Sequence, residues 1–324
     1  MSFIYRAIKY IFSSIANCIK GFFGFSYWLL QLFHRGLYIT PLKKTCSGTI
    51  AVMGNGPSLK EVLPFFTKNE EYKSIDFFVV NYFILEELFF VLKPKHYIFT
   101  DAGFLSSKNA ENKNVSIDMM KKVFSSMQND VDWELNLYVP HNRRKSFIEF
   151  SEISNKNINI IGVNTLPYKG FNFARNFMCK RGISIPVFDG VGSVILVAIY
   201  VSINNGYNNI LLYGVDHDFF KSIAVDDNNC LCEEDKYFYS DKYKSTLSVN
   251  YNMHGNQVSV KEFFNKLAKL FGNHELMHNY AESSEANIIN CTHHSFIDAY
   301  KRIPLDMPAH DFNAILNRFG KPHS

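Results

Sequence analysis

Met53-Gly54-Asn55-Gly56-Pro57-Ser58-Leu59-Lys60 stands between a short apolar run and the start of a helical pattern. Gly54 and Gly56 permit a tight turn and close backbone approach. Ser58 is a candidate N-cap, and free N–H groups at a helix start attract an anion. The order strand, glycine turn, helix points to a phosphate or nucleotide, although the stretch is neither a Walker A sequence nor a complete GxGxxG. A plain strand-to-helix turn is the competing reading. Asn81 and Asp101 close two further strand-like runs and would project at the same sheet edge as Asn55. Amide and carboxylate there suit ribose hydroxyls and a base edge, and each residue is equally a turn-former. Gly190-Val191-Gly192-Ser193 precedes an apolar helix and forms a second anion-receptive start, or a simple cap. Gly214-Val215-Asp216-His217-Asp218 carries a DxD-like pair, Asp216 and Asp218, able to bridge Mg or Mn to a diphosphate or to cap a turn. Tyr251-Asn252-Met253-His254-Gly255 closes a polar segment. A neutral imidazole at His254, with an ordinary pKa near ~6.5, can take the proton of an acceptor hydroxyl. His278, His293 and His294 have no nucleotide-like motif beside them. Cys230-Leu-Cys232 is a close pair without the second pair of a zinc site.

These side chains need a frame. The chain has 324 residues, 47% hydrophobic and 20% charged, which excludes a mainly disordered protein. A net charge of +4 gives no case for nucleic acid. Six scattered cysteines read as reduced thiols of a cytoplasm. Strand-like runs of four to eight residues fall at Thr49 to Met53, Ser74 to Asn81, His96 to Thr100, Trp133 to Val139, Ile158 to Val163, Asn209 to Gly214 and Ala286 to Asn290. Helical patterns lie between them at Leu59 to Thr67, Phe83 to Leu92, Ile117 to Met127, Arg143 to Ser151, Val191 to Asn205 and Val258 to Gly272. The alternation predicts an α/β, doubly wound, mostly parallel sheet of Rossmann-like type over residues 46–302. Residues 218–257 are polar and aperiodic, and so are expected to be a lid over the carboxyl ends of the strands. Residues 303–324 read as a C-terminal tail.

Residues 1–45 are different in kind. Phe3, Ile4, Ile8, Ile11, Phe12, Ile15 and Ile19 make a helical apolar stripe beside Arg6, Lys9 and Lys20, and a second apolar run follows from Gly21 to Phe33. The second run is short for a membrane crossing. The preferred expectation is an interfacial amphipathic anchor on the cytoplasmic face of a bacterial inner membrane. A helical hairpin packed on the catalytic domain, or a true span if the runs join, are the alternatives.

Taken in order, these pieces resemble the bacterial sialyltransferases of glycosyltransferase family 42. More widely they resemble proteins related to the archaeal hydroxymethylpterin diphosphokinases. Gly54 to Lys60 is similar to the family's opening turn around the nucleotide phosphate. Asn81 matches an Asn that contacts the donor nucleotide, while Asp101 stands where the family has another Asn. Gly192-Ser193 falls near a Thr-Ser-Gly turn. Tyr251-x-x-His254 matches a Tyr-x-x-His pair in which His is the proposed general base and Tyr holds phosphate. The fragments run from Thr49 to Thr292. After the Gly-x-Asp strand end the family has phosphate-binding tyrosines where this chain has Asp218 and Phe219. Tyr237, Tyr239 or Tyr243, or a divalent ion at Asp216 and Asp218, would have to replace them. The resemblance implies a GT-A-type fold and inverting transfer from a CMP-sugar, such as CMP-sialic acid or a related acidic sugar. It implies a lipid-linked, lipopolysaccharide or capsule glycan as acceptor and no required metal. A homo-oligomer is compatible with it. The rivals are an ATP- and Mg-dependent diphosphokinase and a non-catalytic membrane-associated scaffold in polysaccharide assembly.

Overall fold

The computed structural model describes residues 2–35, 41–68, 70–106, 117–188, 190–233, 248–249 and 255–321. Thr49–Met53 (β1) is buried at every position. Its alternate side chains serve two apolar layers: Ala51 and Met53 enter one, Ile50 and Val52 the other. A strand covered on both faces has no polar side to show, which is why such strands read as unbroken apolar runs. The others of the main sheet are Asp76–Val80 (β2), His96–Ile98 (β3), Leu135–Pro140 (β4), Ile158–Val163 (β5) and Asn209–Tyr213 (β6). After a small separate sheet, β7 to β9 (described below), come Asn287–Asn290 (β10) and Lys301–Arg302 (β11). The order is β11-β10-β6-β1-β2-β3-β4-β5, every pairing parallel. The fold is Rossmann-like.

One layer is filled from Ile117–Asp130 by Met120, Val123, Phe124 and Met127, and from Phe312–Phe319 by Phe312 and Ile315. On the opposite face lie Val194–Asn205 and Val260–Ser283. Ile195 through Asn205 are all buried, because this helix is sandwiched between the sheet and its neighbour. Gly206, at φ +107°, ends it in the left-handed conformation that a glycine adopts without strain.

Several expectations need correction. The N-terminal runs form one helix, Ser2–His34, with no break at Gly21 or Gly24. Both glycines lie on its packed side: a Cβ on Gly21 would stand 2.5 Å from the Phe171 ring, and one on Gly24 would strike the Lys169 carbonyl. The helix expected over Leu59 to Thr67 is an α-turn, Leu59–Val62, continued as a 3₁₀ turn, Leu63–Phe65, that contains Pro64. Among the described residues of the expected lid, Ile223–Val225 (β7), Leu231–Glu233 (β8) and Ser248–Val249 (β9) form an antiparallel sheet. Asp226 makes the turn, its Oδ1 accepting from the amides of Asn228 (2.9 Å) and Cys230 (2.8 Å). The tail is not peripheral either, since the Phe312 ring packs at a tilt against Phe66 and Ile315 is fully buried. A helix at Asn172–Lys180 was not expected; Cys179 is its one fully covered residue, so it carries little periodic signal.

Candidate functional site

The chain lays down β1 to β5 in one direction, then crosses back to place β6 on the other side of β1. The carboxyl ends of β1 and β6 therefore flank the topological switch point, where open α/β sheets bind ligands. The turn after β1 and the turn after β6 are bonded to each other. Gly54 N donates to Tyr213 O (2.7 Å), Gly56 N to Gly214 O (2.8 Å), and Ser58 Oγ to Asp216 Oδ2 (2.9 Å). A Cβ on Gly56 would lie 2.7 Å from both the Gly214 oxygen and the Asp216 carboxyl carbon. Gly54 and Gly56 thus make room for the neighbouring turn as well as for any ligand. Ser58 is not the N-cap that the spacing suggests: its backbone is helical and its hydroxyl serves Asp216.

Asn55 sits above this junction, and both atoms of its amide are buried without a partner. Met53 pairs with Val79, so continuing that register sets Asn55 level with Asn81. Asn81 adopts φ +52°, a conformation that Asn tolerates, and its Oδ1 is also buried and unpartnered. Its carbonyl accepts from the Tyr97 hydroxyl, which fixes the turn. Buried polar atoms without partners cost about 1–3 kcal/mol each, and three of them at one edge are able to bond a polar ligand. Asp101 lies at the same edge after β3, exposed, with Oδ1 accepting from Gly103 N at 2.9 Å as a helix cap. Burial first, and then the Asp101 charge, push the Tyr82 phenol up to about 12.

Ser193 caps the buried helix Val194–Asn205, its Oγ accepting from Ile195 N at 3.3 Å. That helix leads back into β6, so its N-terminus opens at the carboxyl edge of the sheet. Gly192 reaches the cap at φ +73°.

Asp216 is held up to about 6, chiefly by loss of solvent, with the Asp218 charge adding and the Ser58 hydrogen bond opposing. Asp218 turns to Lys221, 3.4 Å away. Among the described residues no three His, Cys, Asp or Glu side chains converge as a metal set. The two carboxylates alone are an incomplete shell for Mg or Mn, and a cation there would need oxygens from a diphosphate. Cys230 and Cys232 are free thiols, and Cys230 Sγ lies 3.0 Å from Gln257 Nε2. Tyr251 and His254, with Tyr237, Tyr239 and Tyr243, lie outside the described residues.

The sequence reading missed what holds this junction in place. His217, between the two aspartates, is buried at φ +54°, with Nε2 3.0 Å from His274 Nε2. His274 Nδ1 is 2.8 Å from the Tyr300 hydroxyl. Burial lowers His217 to about 4 and His274 well below its ordinary value, His217 adding to the latter, so both rings are neutral and one donates its N–H to the bare nitrogen of the other. This chain ties the turn after β6 to Val260–Ser283. His217 and His274 are 57 positions apart, and no local pattern links them.

No protein-family model matches the chain, and no curated protein matches it. Among solved structures it is similar to the MAf glycosyltransferase from Magnetospirillum magneticum AMB-1, at 10% identity and a TM-score of 0.43. The match covers 82% of this chain and 35% of that one, so the chain spans about a third of that protein's length.

Proposed function

We propose that this protein is a glycosyltransferase that takes its sugar from a nucleotide-activated donor, the nucleotide seated over the carboxyl ends of β1 and β2. The observation that carries the reading is the unpartnered, buried amide of Asn55 level with the unpartnered Asn81 Oδ1 beside the switch point. A ribose or base edge supplies both the donors and the acceptors that these atoms lack. The capped N-terminus at Ser193 favours the phosphate. The finer reading follows the resemblance to family 42: a CMP-sugar donor, an acidic sugar of the sialic acid type, and a cell-surface glycan of lipopolysaccharide or capsule as acceptor. In that reaction the acceptor hydroxyl attacks the anomeric carbon as the bond to the phosphate oxygen breaks. The phosphate leaves with the electron pair, His254 takes the hydroxyl proton, and Tyr251 contacts the phosphate.

The test is thermal stability against CMP, UDP, GDP and ATP, with magnesium and with chelator. A nucleotide at about 100 times its Kd adds ~2.7 kcal/mol, a clear rise in melting temperature. Asn55→Ala is expected to melt within a few degrees of the natural protein, because the amide it removes has no partner, and to lose the nucleotide shift. His254→Ala is expected to keep the shift and lose ~10²–10⁴-fold in transfer. A shift that needs magnesium and ATP would replace this reading with the diphosphokinase. No shift with any nucleotide would leave the scaffold.

A further inference from the structure

The N-terminal helix Ser2–His34 has two unlike sides. One is pinned to the body through Gly21, Gly24, Trp28 and Leu32. Trp28 is 3% exposed, donates from Nε1 to Ser184 Oγ (2.7 Å) and meets the Tyr168 ring edge-on at 5.2 Å. At about 100° per residue, Phe12, Ile15, Ile19, Phe22, Leu30 and Phe33 fall in one stripe centred about 160° around the helix from that pinned side. All six are between 51% and 69% exposed. Lys20 lies in the sector between the stripe and the pinned side, while Arg6 and Arg35 fall at the angle of the pinned side, and all three are exposed.

The charge around this helix is one-sided. Residues 1–60 contain seven Lys or Arg and no Asp or Glu, the first acidic residue being Glu61. No helix among the described residues is long and apolar enough to cross a membrane. An aromatic and aliphatic stripe on a basic segment free of acidic residues, in a helix unable to span, is the composition of a surface-lying segment. A second copy of this chain is a poorer occupant, since a paired stripe would bring two unbalanced sets of positive charge together. Negative headgroups remove that repulsion.

The place of the helix matters as much as its surface. Leu32 and Arg35 line a small cavity with His141, Asn142 and Val163 to Leu166, at the carboxyl ends of β4 and β5. The helix is therefore fixed to the edge of the sheet that carries Asn55, four strand spacings or about 19 Å from β1. We propose that the exposed stripe of Ser2–His34 lies in the surface of an anionic bilayer and holds the carboxyl edge of the sheet beside it. The docking itself does not depend on what the site transfers. Combined with the glycosyltransferase reading, it makes a lipid-anchored acceptor the class within reach.

The experiment is vesicle co-sedimentation of the full chain, with phosphatidylcholine alone and with phosphatidylcholine containing phosphatidylglycerol. Binding is expected on the anionic vesicles, at least ~10-fold weaker on neutral ones, and reduced by salt. The double variant Phe22→Ser, Leu30→Ser is expected to lose at least ~10-fold in binding with an unchanged melting temperature, because both side chains point away from the body. Equal binding to both vesicle types, or full binding by the double variant, would overturn the proposal. So would no vesicle binding, and a dimer dispersed by the same two substitutions would then name a second copy as the occupant. None of these readouts involves nucleotide or sugar, so a failure here and a failure of the glycosyltransferase reading are told apart.

Discussion

Replacing Asp216 with Asn removes a charge while keeping the shape and an oxygen able to accept from Ser58 Oγ. Burial raises this carboxyl from 3.8 to about 6, a shift of about two units. Each unit is worth ~1.36 kcal/mol, so keeping Asp216 ionised in the folded state costs up to about 3 kcal/mol. The sign follows from proton binding. Between pH 3.8 and about 6 the native state holds a proton that the unfolded chain has released, so native stability falls as pH rises through that window. Asp216→Asn does not take part in this loss. The variant should match the natural protein near pH 4 and exceed it by up to about 3 kcal/mol above about pH 7. Urea unfolding of both proteins at several pH values, in chelator, measures the difference. His217, lowered to about 4 by burial, pulls both curves the other way as pH falls, and this cancels in the comparison. A difference that stays flat with pH, or one that shrinks as pH rises, would refute the reasoning. A residue that weakens the fold at neutral pH is retained for another reason, and here the reason offered is the site.

Gly56→Ala places a methyl group 2.7 Å from the Gly214 carbonyl oxygen, a backbone atom that cannot turn aside. It should cost about 1–3 kcal/mol and abolish the nucleotide-induced melting shift, both read in one thermal series. An unchanged melting temperature would mean that the two turns separate more easily than their hydrogen bonds suggest. Tyr300→Phe leaves His274 Nδ1 buried without its 2.8 Å partner and should cost about 1–3 kcal/mol in urea unfolding at neutral pH. A variant as stable as the natural protein would show that the histidine pair does not need this anchor.

The sheet was legible in the sequence wherever a strand is covered on both faces, as at Thr49–Met53 and Asn209–Tyr213, because nothing polar interrupts such a run. The carboxyl-edge placement of Asn55 and Asn81 followed from strand ends alone. What the sequence concealed was contact between distant segments. The spacing makes Ser58 look like a cap; the Asp216 oxygen that takes its hydroxyl lies 158 positions away. Gly21 opens the second apolar run of the sequence, but Gly21 and Gly24 lie within one helix and admit the chain at Lys169 to Phe171. The hairpin at Ile223–Val225 and Leu231–Glu233 is too short for its alternation to stand out from a polar stretch. Its signal was Asp226-Asp227-Asn228-Asn229, a turn sequence with Asn229 at φ +57°.

The pairing of Ile50 with Ile210 has a consequence for how the chain is made. Until residue 213 has been synthesised, one edge of β1 has no neighbour, and every side chain of that strand is apolar or Thr. The segment that emerges just before the missing strand, Val194–Asn205, is itself buried nearly all round in the finished protein. The nascent chain therefore carries an open strand edge and an uncovered apolar helix together, and both close late. Helix Val260–Ser283, which covers Val194–Asn205, comes later still. A chain truncated before residue 209 would keep the Asn55 turn but lack the carbonyls that hold it, and would expose the surfaces most prone to aggregate.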